Sequence, residues 1–552
     1  MGPSAPETKR RKTSMTPEGA AMAATVREMD ASQGFDAVVV CTSNVAQERY
    51  WQTRLQATAG QAAKSGAIVV AVHEDWAADG AGNGLGTLYA YAKAKAKAQA
   101  SGHDLDALLA RGGTVGIYHT AGKGTRLAPL PGAENNNKPG VKLPSLVDLP
   151  ADPATGAPAS TTELTILEAV VRQTGVYAKH RPGRCSVFWG DQIFVPSAGH
   201  NPSGAHHADI LAQMGPMPDE ADWKAKGLDK YGLIAVNAAG EAAQVEKVSY
   251  DTATRLLAGF GQLAAVGPSL GSFSLGAEML SSLMTEFAPE LEAKTAKMDS
   301  DPHFWMPMTL EKKAYVSVMV TKDETEAMAG AHWDRMAAFK AKLLASHPDR
   351  GLFGAIDVGE KCYWWDYGQL GLYRKNNALA MEASEEAAAL REYLKIPENG
   401  PRSLRSDLGD ATLEDDSVAL ATRVGSGKLV RTIASHVTAN AIDAEGCILI
   451  NVTAKSIRAK NCIVYNVEDD SEEGLALPEG AVMTNVFVPG REKLVQSSSV
   501  GTDGGKVFKV KLTQNPFSFQ DVYKMNQTTD VEEAYAVGRK AHEETAKKIW
   551  NQ

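Results

Sequence analysis

Three short β-branched runs, each followed by a loop, constrain this chain more than any other feature. The first is Asp36-Ala-Val-Val-Val-Cys41; Ser43 and Asn44 follow it as helix caps, ahead of an amphipathic stretch that reaches Leu55. The second, Ala67-Ile-Val-Val-Ala-Val72, precedes a glycine-rich loop and an alanine-rich helix. The third, Thr114-Val-Gly-Ile-Tyr118, runs into another glycine-rich loop. Strand, loop and helix in alternation predict an α/β domain, a Rossmann-like three-layer αβα sandwich around a mixed, largely parallel sheet. Ligands of such sheets sit beyond the carboxyl ends of the strands, so the loops that follow the strands are where chemistry is expected.

At 552 residues the chain is long enough for two or more domains. Its net charge of −9 argues against nucleic acid or an anionic membrane as a partner. A polyanionic ligand would have to be met locally, by a few placed cations or metal ions. The five cysteines (Cys41, Cys185, Cys362, Cys447, Cys462) form no CxxC pair, which reads as reduced, intracellular protein. No run of 18 apolar residues predicts a transmembrane helix, and the N-terminus has no apolar signal-peptide core. The expected location is the cytoplasm. The cluster Lys9-Arg10-Arg11-Lys12 reads as part of a solvated tail rather than a nuclear address.

The last third changes character. Ile442-Asp-Ala-Glu-Gly-Cys-Ile-Leu-Ile-Asn-Val452 and Ile457-Arg-Ala-Lys-Asn-Cys-Ile-Val-Tyr-Asn-Val467 share Ile, Ala, Cys, Ile, Asn and Val at an offset of 15 residues. Inward aliphatics with small residues at corners predict a parallel, left-handed β-helix, its cysteines and asparagines stacked in core and corners. The predicted organisation is a disordered tail over 1–30, a catalytic α/β domain over 31–415, a β-helix over 416–515 and a C-terminal helix over 516–552.

The most informative segment is His119-Thr-Ala-Gly-Lys-Gly-Thr-Arg-Leu-Ala-Pro-Leu130, which follows a strand. Gly122 and Gly124 let backbone N–H groups approach an anion closely, and Arg126 adds a planar, permanently charged fork suited to phosphate oxygens. No Gly-Lys-Ser/Thr triplet stands at Walker spacing. Two strand-like segments end in aspartate: Cys185-Ser-Val-Phe-Trp-Gly-Asp191 and Trp364-Trp-Asp366. A magnesium ion prefers a few hard carboxylates together with water and phosphate oxygens, which Asp191 and Asp366 would supply. His200, His206 and His207 read as solvent-facing loop histidines, and Asp301 to Met308 as a packed aromatic insertion.

The ordered set resembles the sugar-1-phosphate nucleotidyltransferases (NDP-sugar pyrophosphorylases), over roughly residues 115–375. Their loop reads Gly-Gly-x-Gly-Thr-Arg-Leu with a lysine further on before Leu-Pro. Ala121 stands here for the first glycine, and Lys142-Leu143-Pro144 supplies the preferred lysine, with Lys138 of Asn137-Lys-Pro139 competing for the role. The resemblance implies that Ala121, Gly122, Gly124, Thr125 and Arg126 hold the nucleotide and that Asp191 and Asp366 hold Mg²⁺. Tyr231-Gly232 and Val245-Glu246-Lys247 are similar to the elements that face the sugar: Gly232 and Glu246 on hydroxyls, Lys247 on the sugar phosphate. Ser269-Leu-Gly271 replaces the usual Asn-x-Gly. The region from Phe35, with Gly82-Asn-Gly84-Leu-Gly86-Thr87, resembles the start of fucose-1-phosphate guanylyltransferases and implies that Gly84, Gly86 and Thr87 line the nucleotide pocket.

The implied reaction joins a nucleoside triphosphate to a sugar 1-phosphate, of the UTP/glucose 1-phosphate or GTP/fucose 1-phosphate type, and releases pyrophosphate. Arg126, Lys142, Asp191, Lys247 and Asp366 are the expected catalytic set, and a homo-oligomer formed through the β-helix is the expected assembly. Two alternatives differ in kind: a sugar-nucleotide-binding regulatory subunit, and an acyltransferase using the β-helix, for which His436 would be the base.

Overall fold

The computed structural model describes residues 15–30, 34–77, 80–151, 158–199, 204–230, 232–246, 248–398, 401–414 and 416–550. The three β-branched runs are parallel neighbours: β1 (Ala37–Thr42) lies between β2 (Ile68–His73) and β3 (Val115–His119), with Ala37 opposite both Ile68 and Val115. Every residue of β1 is buried. Val38 and Val40 feed one core with Trp51 and Leu55 of the helix Val45–Ala57. Ala37, Val39 and Cys41 feed the other with Leu85 and Leu88 of the helix Gly82–Ala100. Burial on both faces is why these strands read as unbroken apolar runs. Asn44 caps the first helix, its side chain accepting from Gln47 N–H at 2.9 Å.

β4 (Lys142–Leu149) and β5 (Ser160–Thr165) form a separate antiparallel pair. β6 (Arg184–Trp189) then joins the main sheet parallel to β3. β1 leads outward to β2, whereas β3 leads the other way to β6, so the sheet has its switch point, and a crevice, at the carboxyl ends of β1 and β3. Beyond β6 the sheet becomes mixed. β7 (Gln192–Val195) leaves it. β8 (His206–Ala212), β9 (Gly232–Asn237) and β10 (Ala242–Glu246) are followed by the long β11 (Leu263–Gly276), which is antiparallel to β6, β8 and β9. β12 (Gly351–Asp357) closes the edge parallel to β8. β13 (Tyr363–Asp366) pairs antiparallel with β7, Asp366 opposite Gln192.

The 15-residue repeat is a ladder of parallel strands. Val418, Ile433, Ile448 and Ile463 stand in one register, and Lys428, Asp443 and Arg458 in another. Left-handed backbone recurs in step at Ala421, His436, Asn451 and Asn466. Asn451 donates to Asn466 Oδ1 at 2.7 Å, and Cys447 and Cys462 are buried between the layers. The ladder starts at Arg402–Leu404, earlier than the repeat predicts, because this first strand pairs with Val418–Leu420 without sharing the repeat's residues. The chain ends in two helices, Phe519–Asn526 and Val531–Trp550.

The expected disordered tail is corrected in part. Pro17–Glu28 is a helix, capped by Thr16, that buries Met22 and Val26 in the core; residues 1–14 lie outside the described ones. The sequence misses it because its two large apolar anchors are diluted by alanine and threonine. His206 and His207 are on β8 rather than in a loop, and His206 faces Asp209 at 3.6 Å and Glu241 at 3.4 Å. The aromatic insertion is packed as expected, with Phe304, Trp305 and Met306 buried. No helix among the described residues is long and apolar enough to cross a membrane.

Candidate functional site

The glycine-rich loop leaves β3 at the crevice. Thr120 ties it to β1: its N–H and its hydroxyl both donate to the Cys41 carbonyl, at 2.9 and 2.8 Å. Ala121, Gly122 and Lys123 are exposed. Gly124 has a φ of 61°, and a Cβ there would stand 3.0 Å from Cβ of Lys138. Glycine therefore permits both the left-handed turn and the close seating of that lysine. A single turn, Thr125–Leu127, buries Leu127 and leaves Arg126 exposed at the mouth.

Two strand ends deliver the carboxylates. Asp191 follows β6, where Gly190 N–H donates to the His119 carbonyl at 3.1 Å and locks the β6 end to the β3 end. Asp366 ends β13. Tyr367 N–H donates to the Asp191 carbonyl at 3.0 Å, and Asn376 Nδ2 donates to the Asp366 carbonyl at 2.7 Å. Gly368 N–H donates to Asp366 Oδ1 at 2.6 Å. A Cβ on Gly368 would lie 2.7 Å from Asp191 Oδ2 and 3.0 Å from Asp366 Oδ1. Both carboxylates thus converge over one glycine that no other residue replaces without displacing them.

Lys138 Nζ pairs with Asp191 Oδ2. The Asp366 carboxyl is pushed above the ordinary range chiefly by burial, with the charge of Asp191 adding to it. The Gly368 N–H, Lys138 and Arg126 pull the other way. Arg126, Lys138, Asp191 and Asp366 therefore share one electrostatic neighbourhood. Among the described residues no cluster of three or more histidine, cysteine or acidic side chains is placed to hold a metal. Two carboxylates with an exposed arginine and a lysine nearby fit an ion that keeps most of its shell as water and phosphate oxygens, the habit of Mg²⁺.

Lys142, the preferred lysine, is engaged with Glu134. Its ammonium is paired with Glu134 Oε1 at 2.7 Å and lies against the rings of Tyr465 and Tyr535. Lys138, four residues earlier, is the lysine that reaches Asp191. Both stand near a proline in sequence, and only the turn Lys138–Gly140 decides which one faces the crevice.

The expected wall from Gly84 to Thr87 divides between two neighbours, Met298 and His119. Gly84 N–H donates to the Met298 carbonyl at 2.9 Å, and a Cβ there would stand 2.9 Å from that same oxygen. Asn83 N–H is taken by Asp299 at 2.9 Å. Packing consumes this helix start, so Gly84 does not offer its N–H to a phosphate. Gly86 and Thr87 face His119 at the end of β3 instead. The Thr87 hydroxyl is 2.8 Å from His119 Nε2, and burial holds the His119 ring down at about 4.

On the opposite side, Gly232 opens β9 directly across from Glu246 of β10. Glu246 is described by its backbone only; Tyr231 and Lys247 lie outside the described residues. Ser269 sits at an irregularity of β11, its hydroxyl accepting from Gly271 N–H at 3.0 Å. His436 is no free base between strands. Its Nδ1 is 3.2 Å from Glu163 of β5, and its Nε2 is 3.1 Å from the Thr161 carbonyl.

No protein-family model matches the chain, and no curated protein sequence matches it.

Proposed function

We propose that this chain is a sugar-1-phosphate nucleotidyltransferase, joining a nucleoside triphosphate to a sugar 1-phosphate with release of pyrophosphate. The observation that carries the reading is the convergence of Asp191 and Asp366 over Gly368, beside Lys138 and below a glycine-rich loop that ends in an exposed Arg126. The resemblance of that loop to the family's signature supports it.

The nucleophile, a phosphate oxygen of the sugar phosphate, is already an anion, so no strong base is needed. The difficulty is to bring anions together and to stabilise charge on the transferred group, which makes positioning and electrostatics the main tasks. Arg126 and the loop amides hold the triphosphate. Lys138 faces the reacting phosphate from the Asp191 side. Asp191 and Asp366 would hold Mg²⁺, which supplies Lewis-acid stabilisation of phosphate charge. Gly232, Glu246 and Lys247 take the sugar side.

The 15-residue ladder is read as coils of a parallel β-helix, supported by its recurring left-handed corners and stacked Asn451 and Asn466. A cytoplasmic location belongs to the same reading. The test is a matrix of four nucleoside triphosphates against several sugar 1-phosphates, with and without Mg²⁺, read by pyrophosphate release. One pair should turn over well above the rest and only with the metal. No release from any pair would sink the reading.

A further inference from the structure

The candidate phosphate loop does not stand alone on the α/β domain. A segment nearly 380 residues later lies against it. Gly504 is buried, and a Cβ on it would stand 2.6 Å from the Thr125 carbonyl and 3.1 Å from that of Ala128. At Gly505 a Cβ would stand 3.4 Å from Cγ of Arg126. Phe508 and Phe519 form a small apolar cluster with Ala128. Lys123 lies over the ring of Tyr523, 5.9 Å from its centroid.

Hydrogen bonds continue the contact along the chain that follows the loop. Asn136 donates to the Tyr523 carbonyl at 2.6 Å, and Asn526 donates to the Gly132 carbonyl at 2.8 Å. Asn135 donates to the Thr529 carbonyl at 3.2 Å. Residues 123–138, which carry Lys123, Arg126 and Lys138, are thus held along their length by residues 504–529. Close backbone approach, single hydrogen bonds and the buried Phe508 and Phe519 together hold the two segments against each other.

We propose that the segment from Asp503 to Asn526 is the positioning element of the phosphate-binding loop, so that anion binding at the loop and docking of this segment are energetically coupled. The inference rests on the reading of the loop as a phosphate site. Coupling of this kind is reciprocal: whatever displaces the segment weakens the anion, and the anion tightens the segment. Gly504 is the sensitive point. Its backbone suits an L-residue, since no positive φ is found there, yet one methyl group would press on the Thr125 carbonyl. Gly501, in the same stretch, has nothing within 4 Å of a Cβ and serves as the control.

The test uses the full chain with Mg²⁺ and inorganic pyrophosphate as the probe, followed by calorimetry. Gly504→Ala should weaken pyrophosphate binding on the order of ten-fold, and Gly501→Ala should leave it unchanged. With an active pair of substrates, Gly504→Ala should raise KM for the triphosphate and leave KM for the sugar phosphate in place, a split that general destabilisation does not produce. Equal pyrophosphate affinity in Gly504→Ala and the parent overturns the coupling while leaving the phosphate site intact. A parent chain that does not bind pyrophosphate overturns the phosphate-site reading, and the coupling with it. Hydrogen exchange on the unmutated chain gives an independent measure: pyrophosphate should slow exchange of amides within 503–526, and an unchanged rate there overturns the proposal even if Gly504→Ala fails to fold.

Discussion

The Tyr535 hydroxyl donates to Glu134 Oε2 at 2.5 Å, joining the last helix to the segment just after the glycine-rich loop across 401 positions of chain. The other oxygen of Glu134 receives Lys142 and the Tyr465 hydroxyl. One carboxylate, fully buried, therefore joins three parts of the molecule: the β4–β5 pair, the repeat ladder and the C-terminal helix.

Glu134→Ala removes the charge that Lys142 faces in a site where Lys142 is only 15 % exposed. Breaking a buried pair by deleting one partner leaves the other uncompensated, at a cost of about 3–5 kcal/mol. Urea unfolding should show a loss of that order. A loss below about 1 kcal/mol, the range of surface pairs, would mean that water reaches Lys142 and that the junction does not hold a buried pair.

Asp191→Asn and Asp366→Asn should each lower turnover on the order of 10²-fold or more, by analogy with deleting one electrostatic stabiliser. Both should also raise the Mg²⁺ concentration needed for half-maximal rate. The rate of pyrophosphate release, titrated with Mg²⁺, reads both effects. Near-normal rates in the two variants would remove the metal assignment.

Lys138 and Lys142 separate by the kind of damage they cause. Lys138→Ala should cost on the order of ten-fold or more in turnover and lower melting temperature less than loss of Lys142, because both members of the Lys138–Asp191 pair keep some exposure (22 and 14 %) whereas Glu134 opposite Lys142 is fully buried. Lys142→Met should do the reverse, lowering melting temperature while KM values hold. If Lys142→Met abolishes turnover at unchanged stability, the assignment of the two lysines is inverted.

The Glu163–His436 pair predicts a pH dependence of the junction between β5 and the ladder. For Glu163, burial would raise the carboxyl, but the His436 ring outweighs it and holds it down at about 2, with Lys142 assisting. For His436, burial disfavours the charged ring, but the Glu163 charge and the Thr161 carbonyl outweigh it and raise it. Lys142 opposes that rise, and His542 also feels the charges of both Lys142 and Glu163. A raised histidine stabilises fully below its ordinary value of about 6.5 and loses its contribution as pH climbs through the raised one. A depressed carboxyl contributes above its ordinary value and loses its contribution as pH falls toward about 2. The pair is thus strongest between about pH 4.5 and 6.5. Melting temperature should decline on the alkaline side of that window, and the double variant Glu163→Gln/His436→Gln should flatten the decline. A parallel decline in parent and double variant would assign it to other groups.

Local signals were enough for the α/β layers. β1, β2 and β3 are buried on both faces, so their apolar runs are visible without any knowledge of their neighbours. The ladder was visible for a similar reason: its strands repeat the same buried residues at the same offset, and Asn451 and Asn466 both take left-handed backbone. Asp191 and Asp366 were legible as strand-end aspartates. Lys138 against Lys142 was not, because both have similar neighbours in sequence and the choice depends on a turn of three residues. Gly84 misled for a related reason: a glycine needed for close packing on Met298 looks the same in sequence as one needed for a phosphate.

By itself the sequence determined the strand–loop–helix order, the 15-residue repeat and the residue types available to meet an anion, since all of these rest on periodicity and local conformation. Only the tertiary structure decided which lysine reaches Asp191, that residues 17–28 join the core, and that residues 504–529 lie against the glycine-rich loop after β3. Those outcomes depend on contacts between segments hundreds of residues apart, whose energies are set by packing and buried charge rather than by any local pattern.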